Sequence, residues 1–474
     1  MIDTKALRSR VIDLAIQGKL TEQLESDGTA EELYQQIQTE KPKLKKEKPL
    51  PPIKSDETPF EIPSNWKWIK FSNIIALQSG QDLTKDEYND KSAGIPYMTG
   101  ASNYNDDGSL IINRWTETPK ALAENGDILL SCKGTVGKIA ILSIDKVHIA
   151  RQIMGIRVFI ADNSYVSLFV KSAVNGIIAA SKGLIPGIER KDVLKLNIPL
   201  PPLAEQKRIV ERVEEIFRLL DTIDEAQEKY SADAESLKAK LITAGIQGKL
   251  TEQLDRDGTA EELYQQIQEK KKKLIKEGKL KNEKPLPPIK PEEIPFEIPE
   301  NWKWVRLSEL TGKITSGSTP AGGKKGNAYI NEGYCFFREQ NIYNDGIHTD
   351  GMVYISEELL KTRENSTVLP NDILLNITGG SIGRCAIIPD DFSKGSINQH
   401  ILIIRLVEKE MLNYIHDLLC SPYYQGIIQS KVVGDKDGFS GGRCKATLIP
   451  LPPLAEQKRI AEVLERVLGA LSLQ

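Results

Sequence analysis

The chain has 474 residues, of which 40% are hydrophobic and 27% are charged, as in ordinary soluble proteins. A chain of this length exceeds what one hydrophobic core supports, so we expect two or three domains. The lack of a long apolar run excludes a membrane span and an export signal and favours a cytoplasmic location. The net charge of -3 excludes a strongly basic chain that holds nucleic acid by itself.

The cysteines and histidines show no spacing typical of a metal site. There are five cysteines and four histidines, and no Cys-x-x-Cys pair occurs. An odd number of distant cysteines favours reduced thiols over disulfides. We therefore expect no metal and no disulfide. The cysteines are Cys132, Cys335, Cys385, Cys420 and Cys444.

In chain order, the first feature is a segment that recurs later almost unchanged. Residues 16–38 reappear at 246–268 with two differences. A Lys/Pro-rich stretch then follows each copy, and two further segments also recur. These segments are 59–68, repeated at 295–304 with one difference, and 199–209, repeated at 450–460 without change; the Lys/Pro-rich linkers are 41–54 and 269–290.

Between the repeated segments lie two blocks, 66–198 and 302–449, that share a skeleton but differ in their surface residues. Short β-branched runs such as 139–144 and 401–406 predict strands, and 164–181 and 410–430 predict helices. Each block is therefore predicted to be a mixed α/β domain. The matching positions are 126–130 with 371–375, 134–138 with 380–384, Ser79-Gly80 with Ser316-Gly317, and Gln152 with Gln399.

After the first block, the segment from 199 to about 245 is predicted to open with Leu-Pro-Pro, which ends the preceding strand or loop, and then to continue as a long helix. Its apolar or small residues recur at alternating steps of four and three, with Gln227 as the polar exception, which predicts a seam against another helix. Some 40 helical residues would make a rod of roughly 60 Å. Glu205 would lie in the first turn, where the helix dipole favours a carboxylate. The seam residues are Ile209, Val213, Ile216, Leu220, Ile223, Tyr230, Ala234, Leu237 and Leu241.

The partner of this rod is predicted to be its own copy, divided between the two ends of the chain. Residues near the C-terminus match the first half of the seam, and residues near the N-terminus match the second half. They are Ile460, Leu464, Val467 and Leu471 at one end, and Thr4, Leu7 and Val11 at the other. This pattern predicts a circularly permuted two-fold repeat with antiparallel helices and neighbouring termini.

The resulting fold class is α+β, with two α/β domains joined by two long helices. The predicted divisions are 1–65 (half helix and linker), 66–198 (first block), 199–301 (central helix and linker), 302–449 (second block) and 450–474 (C-terminal helix).

No catalytic motif stands out. The sequence lacks a phosphate-binding loop, a dinucleotide-binding G-x-G-x-x-G and the Asn/Asp-Pro-Pro-aromatic signature of base methylation. Glu205-x-Lys207 resembles the end of a nuclease site but is better explained as a helix start. Asp127 and Asp372 are interpreted as turn residues before buried strands. These observations favour binding over catalysis.

The candidate binding residues are polar side chains suited to base edges and placed near Gly-rich turns. In the first block they are Ser79, Gln81, Thr99, Asn103, Arg114, Lys133, Lys138, Arg151 and Gln152. In the second block they are Ser316, Ser318, Lys324, Arg338, Gln340, Asn341, Thr378, Arg384, Asn398 and Gln399.

The two divergent blocks, each followed by Pro-Leu-Pro-Pro-Leu-Ala-Glu-Gln-Lys-Arg-Ile, resemble the specificity subunits of type I restriction–modification enzymes. The stretches 126–130 and 316–320 also look like that family's target-recognition domains. The resemblance covers essentially the whole chain. A coiled-coil adaptor without DNA readout is the alternative.

The resemblance implies that each block reads one half of a bipartite double-stranded DNA target, with the helices setting the spacer. It also implies two modification subunits and motor-nuclease restriction subunits as partners. S-adenosylmethionine, ATP and Mg would be held by those partners, so no cofactor and no catalytic residue is expected in this chain.

Overall fold

The computed structural model describes residues 1–40, 53–54, 57–105, 108–180, 187–320, 328–431 and 438–472. It divides into two compact units, residues 1–228 and 229–474. Each unit holds one copy of every repeated segment, so the repeat unit is itself a complete structural unit. Most of the linker 41–54 lies outside the described residues.

The first unit contains four helices, the beginning of a fifth and ten strands among its described residues. The helices are α1 (Thr4–Ile16), α2 (Ala30–Glu40), α3 (Asn163–Ala180), α4 (Arg190–Leu194) and α5 (Leu203–Ile246), which continues into the second unit. The strands are β1 (Lys67–Lys70), β2 (Ile75–Ser79), β3 (Ile95–Met98), β4 (Trp115–Thr116), β5 (Leu122–Glu124), β6 (Ile128–Ser131), β7 (Ile139–Ile141), β8 (Lys146–Ile149), β9 (Ile153–Val158) and β10 (Asn197–Leu200).

The second unit repeats this arrangement with additional short elements. Its helices after α5 are α6 (Ala260–Lys276), α7 (Leu307–Leu310), α8 (Glu357–Lys361), α9 (Leu412–Cys420), α10 (Pro422–Lys431), α11 (Gly441–Ala446) and α12 (Leu454–Ser472). Its strands are β11 (Lys303–Arg306), β12 (Thr311–Ser316), β13 (Tyr334–Phe337), β14 (Ile342–Tyr343), β15 (Gly346–Ile347), β16 (Val353–Ile355), β17 (Thr367–Val368), β18 (Ile373–Asn376), β19 (Cys385–Ile387), β20 (Gly395–Ile397), β21 (Ile401–Leu406) and β22 (Leu448–Leu451).

The sheets of the two units have matching strand orders, which confirms a shared α+β skeleton. The first unit has sheets β2-β9-β6-β7 and β4-β3-β8-β5, and the second has β12-β21-β18-β19 and β16-β13-β20-β17. The pairs β3–β8 and β13–β20 are parallel, and the other pairs in these sheets are antiparallel. A two-stranded pair, β1–β10 or β11–β22, brings each block's beginning and end together.

Two predicted element boundaries differ from the structure. The helix expected over 410–430 is divided into α9 and α10 at Pro422, because proline lacks the N–H that would continue the helical bonding. The linker expected from residue 269 instead begins with helix, since α6 continues to Lys276 through a run of good helix formers.

The long helix is confirmed: α5 has 44 residues, or about 66 Å of helix. In the first unit, α1 runs antiparallel to residues 217–227 of α5. Arg8 bridges Asp221 and Asp224 at 2.8 Å each. The amide of Gln227, the polar residue on the predicted seam, bonds to the backbone N–H and C=O of Ile2. Within the described residues no helix has the length and apolar character that crossing a membrane requires.

The residues that the helices bury differ in part from the predicted seam. Leu7 and Leu237 are 42% and 43% exposed, whereas Ile12 and Ile16 of α1 are buried. Helix α1 also packs beside α3, where Ser172 Oγ donates to Asp13 at 2.9 Å. The apolar face therefore turns towards the block, as in an amphipathic surface helix. Among the other predicted seam positions, Tyr230 is 41% exposed. Those buried are Ile209, Val213, Leu220, Ile460 and Leu464, and those half-buried are Thr4, Val11, Ile216, Ile223, Ala234, Leu241, Val467 and Leu471.

A buried carboxylate explains why three separate segments recur together. Glu205 is fully buried and accepts hydrogen bonds from Trp66 Nε1 at 2.9 Å, Gln23 Nε2 at 3.0 Å and Thr21 Oγ1 at 3.2 Å. These donors come from the repeated segments 16–38 and 59–68. A buried charge needs such donors to replace its lost hydration, so the three segments are bound to one another.

The second unit repeats this network. Glu456 is likewise fully buried and accepts from Trp302 Nε1 at 2.8 Å, Gln253 Nε2 at 2.6 Å and Thr251 Oγ1 at 3.2 Å. Glu205 and Glu456, which begin the sequences Glu205-x-Lys207 and Glu456-x-Lys458, are therefore internal acceptors whose oxygens face protein donors.

The acidic residues placed at turns, Asp127 and Asp372, have a further role in the cores. Arg157 binds Asp127 through two N–H groups at 2.9 Å, and Arg405 binds Asp372 through two at 2.7 Å. Both carboxylates are buried, so each bidentate pair compensates a desolvated charge.

Candidate nucleic-acid interface

In the first block, most of the predicted polar residues gather where several strands end. We call the surface formed by Ser79, Gln81, Thr99, Lys133, Arg151 and Gln152 the first rim. Gln81 N–H donates to Ile149 C=O at 2.9 Å, and Cys132 N–H donates to Gln152 C=O at 2.8 Å. The ends of β2 and β6 therefore meet the turn between β8 and β9. Gly100, just after β3, lies close to Gln152, because a Cβ built on Gly100 would be 2.4 Å from Gln152 Oε1. The end of β3 therefore lies at the same place.

Glycine makes one of these approaches possible. A Cβ at Gly80 would lie 2.0 Å from Ala150 C=O, so no other residue fits without moving the backbone. The side chains around it remain accessible: Ser79, Gln81, Lys133, Arg151 and Gln152 are exposed. Arg151, with 71% of its side chain exposed, is oriented by an ion pair to Asp82 at 2.6 Å.

A buried histidine, His148, holds the backbone of the first rim at Gln81. His148 Nε2 donates to Gln81 C=O at 2.8 Å, and its Nδ1 accepts from the N–H groups of Lys120 and Ala121 at 3.2 and 3.1 Å. Burial lowers the pKa of His148 below its ordinary value of 6.5. The neutral ring therefore fits these three backbone contacts.

The second block forms an equivalent surface, which we call the second rim: Ser316, Ser318, Arg338, Thr378, Gln399 and His400. Gly317 N–H donates to Asn398 C=O at 3.1 Å, and Thr378 Oγ1 lies 2.6 Å from His400 Nδ1. Gln399 Nε2 lies 3.0 Å from His400 Nε2. A Cβ at Gly317 would lie 2.0 Å from Ile397 C=O, as at Gly80.

The backbone contacts correct one predicted correspondence. Cys132 N–H donates to Gln152 C=O, and at the same place in the second block Ile377 N–H donates to His400 C=O at 2.9 Å. Gln152 therefore matches His400, not Gln399, which takes the place of Arg151. The sequence did not single out His400, because the matching positions of the two turns are identified by their backbone hydrogen bonds and not by similar residues.

Three predicted residues are structural instead. Asn398 is buried; its amide donates to Glu339 Oε2 at 2.8 Å, and its Oδ1 accepts from His400 N–H at 3.0 Å. Asn103 and Asn341 are fully buried. Asn103 Oδ1 accepts from Thr99 N–H at 2.7 Å, and its amide donates to Ile111 C=O at 2.8 Å. Asn341 makes the matching bonds to Arg338 N–H and His348 C=O at 3.1 and 3.0 Å. Both side chains hold the loop after a strand and leave no free group for a base.

The remaining candidates occupy varied positions. Arg114 and Arg384 stack on Tyr88 and Tyr343, 5.1 and 4.5 Å from the ring centres, and aromatic stacking holds such guanidinium groups in place. Gln340 is exposed and Lys138 is half-buried. Lys324 lies outside the described residues.

Each rim thus combines donors and acceptors of the types that read base edges in a groove. The metal-type ligands that the described residues bring together, Cys385, His416 and Cys420, lie within the second unit instead of on a rim's surface.

Comparisons with known proteins give matches over most of the chain. The family model for the type I restriction modification DNA specificity domain matches residues 63–230 and 299–473. The type I restriction enzyme EcoAI specificity subunit of Escherichia coli is 27% identical over 98% of this chain and 89% of its own length. The MjaVIII specificity subunit of Methanocaldococcus jannaschii is 24% identical over 86% of this chain and 87% of its own.

A solved structure shares the fold. A chain from work on complex assembly and conformational transition of the type I R-M system has a TM-score of 0.60 and 19% identity, over 88% of this chain and 93% of that one.

Proposed function

The chain belongs to the family of type I restriction modification DNA specificity proteins, and from that premise we propose that its two rims each read one half of a bipartite, asymmetric DNA target. The observation that carries the proposal is that both rims occupy equivalent positions on one skeleton but present different side chains. Arg151 and Gln152 of the first rim are replaced by Gln399 and His400 in the second.

Because Arg favours guanine and Gln favours adenine at the major-groove edge, the two rims would select different bases. Unequal half-sites exclude a palindromic target. Methylation mapping of DNA from cells that carry the system tests this: we expect two unlike half-sites separated by a fixed unread spacer. A palindromic or continuous motif would contradict the proposal, and unchanged DNA binding after loss of both rims would favour an adaptor role.

Single-residue variants assign the half-sites to the rims. Arg151→Ala is expected to weaken discrimination in one half-site, by about 1–3 kcal/mol if the contact is bidentate. Gln399→Ala, at the equivalent position, serves as the matched control and should affect only the other half-site. Loss of discrimination in both half-sites from either variant would refute the assignment.

We further propose that the repeated segments present two equivalent docking sites for two modification subunits, with restriction subunits joining the assembly in the cytoplasm. The two Glu-centred networks support this, because each builds the same local surface from the same segments. Those partners would carry S-adenosylmethionine, ATP and Mg and perform the chemistry, while this chain selects the site. Native mass spectrometry should find two modification subunits per chain, and a single one would contradict the proposed symmetry.

A further inference from the structure

The second block contains a compact cluster of two thiols and an imidazole. Cys385 Sγ and Cys420 Sγ are 3.5 Å apart, and Cys420 Sγ is 3.9 Å from His416 Nε2. The three side chains' ligand atoms all lie within 4.8 Å of one another. Cys385 begins strand β19, whereas His416 and Cys420 are four residues apart on helix α9 and so share one face.

These distances match a soft divalent cation. With Zn–S near 2.3 Å and Zn–N near 2.0–2.1 Å, tetrahedral geometry places two sulfurs about 3.8 Å apart and a sulfur and a nitrogen about 3.5 Å apart. The observed separations differ from these values by a few tenths of an ångström. Two thiolates would also neutralise a divalent ion, which favours its burial beside the fully buried Cys385.

The surroundings fit as well. The carboxylate of Asp417 lies 3.9 Å from His416 Nδ1, the ring nitrogen opposite the cluster. This is an ion-pair distance, and a small side-chain movement would bring the carboxylate within hydrogen-bonding reach of the imidazole. His416 and Cys420 are half-buried, so solvent can reach the cluster and supply a fourth ligand. His416 Nε2 also lies 3.2 Å from Cys385 C=O, a contact that a bound metal would replace.

The first block shows that the shared fold does not need these residues. Tyr165 and Tyr414 occupy equivalent positions, since each donates to a proline carbonyl, Pro199 and Pro450, at 2.6 and 2.7 Å. Counting from these tyrosines, the places of His416 and Cys420 are taken by Ser167 and Lys171. Strand pairing places Ile139 where Cys385 stands, opposite Leu130 and Leu375 respectively. The three ligands are therefore a property of the second block alone.

We infer that Cys385, His416 and Cys420 bind a soft divalent cation, Zn²⁺ or a close analogue, with a solvent molecule as the fourth ligand. The ion connects β19 to α9. Because Cys385 directly follows Arg384, the ion also fixes the end of the turn that carries this stacked arginine. Metal binding would thus stabilise the second block and its recognition surface, and leave the first block unaffected.

Metal analysis of the full-length chain tests the inference directly. After chelator treatment and addition of Zn²⁺, we expect about one tightly held ion per chain, the usual content of one such site. Co²⁺ in its place should give thiolate-to-metal charge-transfer absorption together with the visible bands of tetrahedral cobalt. Cys420→Ser and His416→Gln should remove the bound ion, whereas Cys335→Ser, a half-buried cysteine of the same unit outside the cluster, should retain it.

The wild-type cobalt spectrum makes the test independent of whether any variant folds. Failure to bind Zn²⁺ or Co²⁺, binding without thiolate bands, or equal binding by Cys420→Ser would overturn the inference. Formation of a Cys385–Cys420 disulfide under diamide with no metal uptake by the reduced chain would also overturn it. DNA recognition plays no part in these measurements, so their outcome is separate from that of the proposed function.

Discussion

Replacing Trp302 by Phe tests whether the buried carboxylate network holds the repeated segments together. The Nε1 group of Trp302 donates to Glu456 at 2.8 Å, and phenylalanine removes that donor but keeps an aromatic ring. Hydrogen bonds to charged groups contribute about 1.5–3 kcal/mol, and Glu456 is fully buried, so water cannot readily replace the lost bond. Some packing is lost as well, because the indole is larger than the phenyl ring.

Trp304 provides a matched control two residues along the same segment. Its Nε1 is buried and has no hydrogen-bond partner among the described residues, so Trp304→Phe removes ring volume without removing a bond. We therefore expect Trp302→Phe to lower the free energy of unfolding by about 2 kcal/mol more than Trp304→Phe. For a unit of this size that difference corresponds to about 4–8 °C in the unfolding midpoint.

The assay is urea unfolding of both variants and the parent chain. Unfolding is monitored by circular dichroism, because the loss of a tryptophan would change a fluorescence signal. Trp66→Phe should produce a similar loss in the first unit, because Trp66 donates to Glu205 at 2.9 Å. If Trp302→Phe and Trp304→Phe are equally destabilised, aromatic packing accounts for the effect and the carboxylate network does not.

Three further outcomes follow from the described contacts. Arg405→Ala should lower the free energy of unfolding of the second unit by about 3 kcal/mol, because the buried carboxylate of Asp372 loses its bidentate partner. Urea titration measures this loss, and an effect under about 1 kcal/mol would show that solvent replaces the arginine. His148 should make the first unit less stable in acid: its folded pKa lies below its ordinary 6.5, so its contribution is complete above pH 6.5 and is lost as the pH falls through the folded pKa. Thermal midpoints between pH 7.5 and 5.5 should show this fall, and His148→Gln should flatten it; an unchanged slope would exclude His148 as the cause. A seven-residue helical insertion between Ile223 and Leu241 adds about 10 Å of helix. It should lengthen the unread DNA spacer by up to about three base pairs and leave both half-sites unchanged. Methylation mapping that shows altered half-sites and the original spacer would refute the spacer role of α5.

Much of the architecture could be predicted from the sequence because repetition and helical periodicity are local properties. The duplicated segments and the 44-residue helix follow from the order of residues alone. The near-identity of the repeated segments also indicated the family. Individual binding residues were harder to predict, since a polar residue after a strand can face solvent, as Gln81 does, or fold inward, as Asn103 does.

By itself, then, the sequence determined that this protein is a two-fold repeat with one long helix and two divergent blocks, because such patterns are written in neighbouring residues. Only the tertiary structure decided which side chains meet. Glu205 lies far along the chain from Trp66 and Gln23, and Cys385 from His416, yet folding places each set in contact. Sequence spacing carries no signal for such encounters, because strand pairing and helix packing set the distances between residues that are remote in the chain.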